Sequence, residues 1–309
     1  MSTPSNQYFD QAAVVHYRKK IEEIKWQTDF RCKRFLTPMP WAEGEKGDAQ
    51  RINRSFSEGK SHKLVGRFAP KVATSSPRYD ARWMYRSDSV EEAWFDEKDI
   101  WNVLNDPMGK EAMRQTEMFN RTLDYDCVRA MFANVEIGPV QGQTTPTSFA
   151  ADGGITIDMT AGATYEKLLE IIQVLIDGEV INDGTPQMYM SIDGTMNTEF
   201  LNELELTSSD YATRKDSATG EINGWGPIEF IRFGSSDTVP DPILPVEGGI
   251  RTGFVVLPGA MEYQVKRAMN TNVIKLDQTH RDTWAVDTTM SYGFMRLDAR
   301  KIIKITTTA

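Results

Sequence analysis

Residues 106–133 read DPMGKEAMRQTEMFNRTLDYDCVRAMFA, and this stretch decides how the rest of the chain is read. Asp106 can cap a helix. Pro107 suits the first helical position, because the N–H that proline lacks would have no partner there anyway. Met108, Ala112, Phe119, Leu123, Cys127, Ala130 and Met131 then recur at steps of three, four or seven, the spacing of one helix face. A helix over 107–133 would be about 40 Å long at about 1.5 Å per residue. That is well beyond the usual three turns of a globular helix, so it reads as a spine that other elements lie across.

Downstream, Gly138 to Gly154 is a Gly/Thr/Pro-rich connection. The spacing of Leu168, Leu169, Ile172, Leu175 and Ile176 predicts a second helix over Tyr165–Asp177, closed by Gly178. A strand is expected at Met188–Ile192, a short helix at Thr198–Leu204 and a polar loop over 207–226. Further strands are expected at Ile228–Phe233, Gly253–Leu257, Thr283–Thr289 and Lys301–Thr306, with a helix at about Gly259–Met269. The fold class is α+β.

Upstream the pattern changes. Residues 36–92 are punctuated by Pro38, Pro40, Gly44, Gly47, Gly59, Gly66, Pro70 and Pro77. Two strand-like pieces, Arg51–Ser57 and Lys63–Phe68, flank a turn at Glu58-Gly59-Lys60-Ser61. A loop this long is out of place in a compact domain but makes sense as an extended hairpin lying on another copy. Residues 1–35 hold an amphipathic arm, with Val14, Val15, Ile21, Ile24 and Phe30 near helical spacing.

The 309 residues carry a net charge of −9, unevenly spread. Residues 1–86 hold 17 Lys+Arg and 9 Asp+Glu, a balance of +8, and the remaining 18 and 35 give −17. The positives are interleaved with Glu22, Glu23, Asp29, Glu43, Glu45 and Asp48. That arrangement suits a basic part of one copy lying on the acidic part of another better than it suits nucleic acid. No run of about 18 apolar residues crosses a membrane, and the first residues lack a secretion signal. Cys32 and Cys127 are too few for a disulfide framework and are expected as small buried hydrophobes in a reducing compartment.

No catalytic, cofactor or metal constellation is found. His16, His62 and His280 stand apart and form no helical metal pair. There is no phosphate loop, no nucleophile elbow and no dinucleotide fingerprint. Asp124 and Asp126 read as solvated or interfacial charges, with no apolar site to raise a pKa. The seven tryptophans are scattered, which suits core and interface anchoring rather than base stacking.

The order of pieces resembles that of tailed-bacteriophage major capsid proteins with the Hong Kong 97-like fold. Asp99, Asp106-Pro107, Arg121, Leu123-Asp124 and Gly138 fall as around that family's spine helix. Thr207 through Tyr211, Gly220-Glu221-Ile222 and Gly226 through Phe230 look like its axial-domain stretch. Asp282-Thr283-Trp284, Gly293 through Arg296 and Ile302–Ile305 look like its closing strands.

The resemblance implies an N-terminal arm (1–35), an extended loop (36–92), a peripheral domain with the spine helix (93–159 and 271–309) and an axial domain (160–270). It implies self-assembly into hexamers and pentamers, forming an icosahedral head around double-stranded DNA that is held without sequence-specific contacts. It also implies a virion component assembled in the host bacterial cytoplasm, with a portal, cement proteins and no membrane. The chain has no room for the scaffolding domain of some members, so a separate scaffold protein is expected. The expected inter-subunit contacts are Arg51, Arg54, Lys60, Lys63 and Arg67. An encapsulin-like shell is the alternative with the same fold, and an enzyme of unrecognised site the alternative of another class.

Overall fold

The computed structural model describes residues 30–41, 48–56, 78–96, 107–181, 187–202, 213–215, 222–234, 242–275 and 283–308. Its spine is helix α1, Pro107–Phe132. The helix lies against a sheet in the order β1-β14-β15-β4: Pro38–Pro40, Met261–Lys275, Thr283–Arg296 and Ser87–Asp96. Polar pins fix α1 to the centre of this sheet. The buried Gln115 amide donates to the Val286 carbonyl at 3.0 Å and accepts from the Thr288 hydroxyl at 2.7 Å. Around them Phe119, Leu123, Cys127, Val128 and Met131 join Met261, Tyr263, Met290 and Tyr292 in the main core.

The expected helix at Gly259–Met269 is instead the first part of β14. Met261 and Tyr263 alternate inward with Glu262 turned outward, and the strand is set by its antiparallel register on β15, from Met261↔Arg296 to Lys275↔Trp284. Methionine and alanine have good helix propensity, but long-range pairing overrides it.

The second sheet runs β7-β16-β13-β8-β11-β10-β9, with β12 on β13. These strands are Ile155–Asp158, Ile302–Thr308, Ile250–Val256, Met188–Ile192, Ile228–Arg232, Ile222–Trp225, Thr213–Lys215 and Val246–Glu247. Helix α2, Tyr165–Asp177, buries Leu168, Ile171 and Leu175 on one face of it. Helix α3 spans Gly194–Asn202, starting four residues before the expected Thr198. It starts there because the Asp193 carboxylate accepts the Met196 N–H at 2.8 Å, capping the first turn. On the opposite face Phe254, Ile231 and Phe233 meet Phe35 and the main core.

A third sheet has the order β2-β3-β5-β6: Ala49–Phe56, Arg78–Tyr85, Val135–Val140 and Gln143–Thr147. The expected strand at Arg51–Ser57 is present as β2. Its partner is β3, in register from Ala49↔Tyr85 to Phe56↔Arg78, whereas Lys63–Phe68 lies outside the described residues. Two of the strands fall in the Gly/Thr/Pro-rich connection. Gly138 permits them, since a Cβ there would sit 2.4 Å from the Gln143 carbonyl oxygen. No helix among the described residues is long and apolar enough to cross a membrane.

Candidate assembly surface and its buried anchor

Of the five basic residues proposed from sequence, Lys60, Lys63 and Arg67 lie outside the described residues. Arg51 is exposed on β2, its Nε donating to Asn53 Oδ1 at 3.0 Å. Arg54, three residues on, turns into its own chain. Its guanidinium donates to the Leu297 carbonyl at 2.7 Å and lies 3.6 Å from Asp80, 3.7 Å from Asp298 and 4.0 Å from Asp152.

These contacts belong to a cluster that binds the hairpin base to the body. Arg82, fully buried on β3, grips Asp152 with both arms of its fork, at 2.9 and 2.6 Å, and reaches Asp80 at 3.1 Å. Arg296, also fully buried, reaches Asp152 at 3.1 Å and closes the end of α1, donating to the Met131 and Ala133 carbonyls at 2.7 and 2.8 Å. Arg54, Arg82 and Arg296 meet Asp80, Asp152 and Asp298 here, and at the rim Arg300 adds a fourth guanidinium, on Asp298 at 3.1 Å.

Burial pushes the Asp152 carboxyl up, but Arg82 and then Arg296 outweigh it and hold it below the usual carboxylate range. Burial lowers Arg82, yet Asp152 and Asp80 leave it raised overall. Burial, followed by the charge of Arg82, lowers Arg54. Asp152 and its arginines therefore stay ionised and paired, which suits anchoring and not acid–base chemistry.

A second anchor corrects the reading of Asp124 as a solvated charge. Asp124 is completely buried, and burial raises its carboxyl above the usual range against the pull of the backbone N–H groups of Cys32 and Arg31. Those N–H groups donate to it at 2.9 and 3.1 Å. A carboxylate from α1 thus caps the 3-10 turn Arg31–Arg34 near the start of the described residues. Cys32 and Cys127 are both buried and free of disulfide, and burial, then the Cys127 thiol, pushes the Cys32 thiol up. Tyr292 donates to Asp126 at 2.6 Å, tying β15 to the same helix.

A cleft of about 470 Å³ borders the 3-10 turn Arg31–Arg34, lined by Phe30, Lys33, Asn120, Tyr263, Val265 and Met269 among others. None of its described lining residues is a carboxylate, histidine or cysteine. Among the described residues no group of His, Cys, Asp and Glu is placed to hold a metal.

Sequence reasoning missed Arg82, Asp152, Arg296 and the burial of Asp124. One signal was available: Arg82 alternates with Met84 on the strand face that is buried.

A family model described as phage capsid protein matches residues 10–309. This chain belongs to that family. Among curated protein sequences none matches it. The capsid protein is similar in fold to several solved structures at low identity. One is the asymmetric unit of the bacteriophage PhiM1 mature capsid (11% identity, TM-score 0.67, covering 95% of this chain and 91% of that one). Others are the head structure of Helicobacter pylori bacteriophage KHP40 (8%, 0.66, 95% and 94%) and the Cyanophage Pam1 capsid asymmetric unit (11%, 0.65, 96% and 97%).

It is a major capsid protein that builds the phage head, and its mixed α and β fold is that of phage major capsid proteins. Its place is in the virion, its self-assembly is into a shell, and its family and fold are structural, not enzymatic. Of the two shells left open by the sequence, the family match selects the phage capsid over the encapsulin-like one.

Proposed function

We propose that copies of this chain form hexamers and pentamers that close into an icosahedral head around double-stranded DNA, in the host bacterial cytoplasm. A separate scaffold protein guides closure, and a portal and cement proteins complete the head. The DNA is enclosed without sequence-specific contacts. The arm (1–35), extended loop (36–92), peripheral domain (93–159 and 271–309) and axial domain (160–270) act as the resemblance implies. The loop lies on a neighbouring copy, with Arg51, Lys60, Lys63 and Arg67 on its contact surface and Arg54 acting through its own chain.

The observation that supports this best is the contrast along β2. Arg54 is pinned to Leu297 and the aspartate cluster, while Arg51, three residues away, is exposed. A hairpin fixed rigidly at its base can present its far part to another subunit in a set direction.

Replacing residues 57–77 with a short Gly/Ser link leaves β2, β3 and the cluster intact. The expected product is folded and unassembled by electron microscopy, beside wild-type shells with five-fold vertices. Normal shells from the variant would remove the loop's role.

A further inference from the structure

The chain has only two cysteines, at positions 32 and 127, and the fold brings them together. Cys127 lies on α1 and Cys32 in the 3-10 turn Arg31–Arg34. The Asp124 carboxylate accepts the backbone N–H of Cys32 at 2.9 Å. Cys127 follows Asp124 by three positions on the helix, so both project from one face, about 4.5 Å apart along the axis. The carboxylate that holds the turn thus sets the turn's cysteine beside the helix's own. Cα atoms of the two elements come within 8 Å, and the thiols are close enough to hydrogen-bond to each other. Both side chains are 0% exposed. Adjacent thiols can also mark a metal site. Here, however, the Asp124 oxygens already accept the Arg31 and Cys32 N–H groups, and no group of metal ligands occurs among the described residues.

We propose that Cys32 and Cys127 are a disulfide modification site, which locks the turn to the spine helix once the protein leaves a reducing compartment.

The turn is a joint among three elements. Its first two N–H groups are held by Asp124 of α1. The Arg31 guanidinium donates to the Arg232 carbonyl and Arg34 pairs with Glu229 at 2.9 Å, both on β11. Phe35, next in the chain, packs on Phe254 and Tyr189 at 5.8 and 5.9 Å between ring centres. All of these contacts are non-covalent, and the Arg34 side chain is 52% exposed, so its ion pair contributes little. A bond from Cys32 to Cys127 fixes the turn to the helix and, through the turn, to the second sheet.

The chemistry needs an oxidant, and a low-molecular-weight disulfide supplies it. One cysteine thiolate attacks the reagent, breaking its S–S bond and releasing one reagent thiol. The other cysteine then displaces the second reagent thiol, and the Cys32–Cys127 bond forms. The pair loses two electrons and two protons, and the reagent carries both away as two thiols. While the turn is closed the reaction is slow. Burial, then Cys127 and Asp124, keep the Cys32 thiol protonated, and only the thiolate attacks. Brief local opening of the turn exposes both sulfurs. The pair therefore stays reduced in a reducing compartment and closes in an oxidising one, the change of medium that a virion meets on release.

The test incubates native, unassembled protein with glutathione disulfide in urea below its unfolding transition. Peptide mass spectrometry should find Cys32 joined to Cys127 within one chain, and the protein, once denatured, should take up no maleimide. Closing a loop of about a hundred residues should raise Tm by about 5–10 °C. Hydrogen exchange of the turn's amides should slow at least about tenfold, and dithiothreitol should reverse both effects. Cys127→Ala should show neither change, and Cys32→Ala is the control if that variant fails to fold. Two free thiols at every urea concentration, a glutathione adduct that goes no further, or a link between chains overturns the proposal. An intrachain bond that leaves melting and exchange unchanged also overturns it, because such a bond locks nothing. None of these outcomes bears on the shell reading, which electron microscopy tests separately.

Discussion

Asp152→Asn is the sharpest test of the buried anchor. The carboxylate accepts two bonds from Arg82 and one from Arg296. It is 5% exposed and both arginines are 0% exposed. Asparagine preserves the shape and one acceptor oxygen, so about two charge-assisted bonds are lost, each contributing about 1.5–3 kcal/mol. The charge is lost as well, and two buried guanidinium groups are left without their shared partner. Removing one member of a buried ion pair typically costs about 3–5 kcal/mol, which agrees with the bond count. For a chain of this size that is a fall in melting temperature of about 6–10 °C.

The assay is thermal unfolding of unassembled protein at one fixed concentration, because assembly raises apparent stability by mass action. Arg300→Ala is the control. Its side chain is 54% exposed and pairs with Asp298 at 3.1 Å, so a loss of no more than about 1 kcal/mol is expected. Arg82→Met combined with Asp152→Asn should be milder than the sum of the two, since contacting residues are not additive. A loss below about 1 kcal/mol for Asp152→Asn alone would refute the account of the cluster as an anchor.

Asp152 is held below the usual carboxylate range. Its stabilisation is therefore complete above its unfolded pKa of about 3.9 and is lost as pH falls through the lower folded value; the gap between wild type and Asp152→Asn should narrow below about pH 4 in urea titrations. On α2, Leu168→Ala should cost about 2–5 kcal/mol, because the side chain is fully buried; Leu169→Ala, at 44% exposure, should stay within about 0.5 kcal/mol in unassembled protein. Shell assembly followed by light scattering should be slower at low salt for Arg51→Glu, Arg67→Glu than for wild type, and the difference should fade as salt screens charges beyond about 8 Å. Equal rates at low salt would sink the electrostatic account of assembly.

Helices α1 and α2 were legible because their information is local. Pro107 marks one start, Gly178 one stop, and the apolar positions between obey a single period. Strand β14 was not legible for the opposite reason. Its first half alternates, but from Lys266 to Lys275 the residues are mostly exposed or half-buried, so no period survives for a window to detect. What makes it a strand is β15, reached only after residues 276–282 and aligned by register. The β5–β6 hairpin was hidden by its composition: Gly138, Pro139 and Pro146 suggest a loop, yet they stand where a close approach or an edge position accepts them.

The charged residues failed by a different route, and the failure explains what they do. Arg, Asp and Lys are almost never fully buried unless paired, so a single sequence assigns them to the surface by default. Arg54 finds Leu297 243 positions away, Arg82 finds Asp152 70 away, and Asp124 finds Cys32 92 away. Each bond joins an outlying segment, the β2–β3 hairpin or the 3-10 turn Arg31–Arg34, to the spine helix, the turn between β6 and β7 or the end of β15. Apolar packing alone would leave such segments only weakly oriented, since hydrophobic attraction has no direction. A forked guanidinium on a carboxylate does have direction. On the proposed assembly, in which the extensions meet neighbouring copies, directional bonds are needed where those extensions leave the body, and the Arg54, Arg82, Arg296 and Asp124 contacts stand at such places, whereas the buried Arg251–Asp193 pair lies within the second sheet.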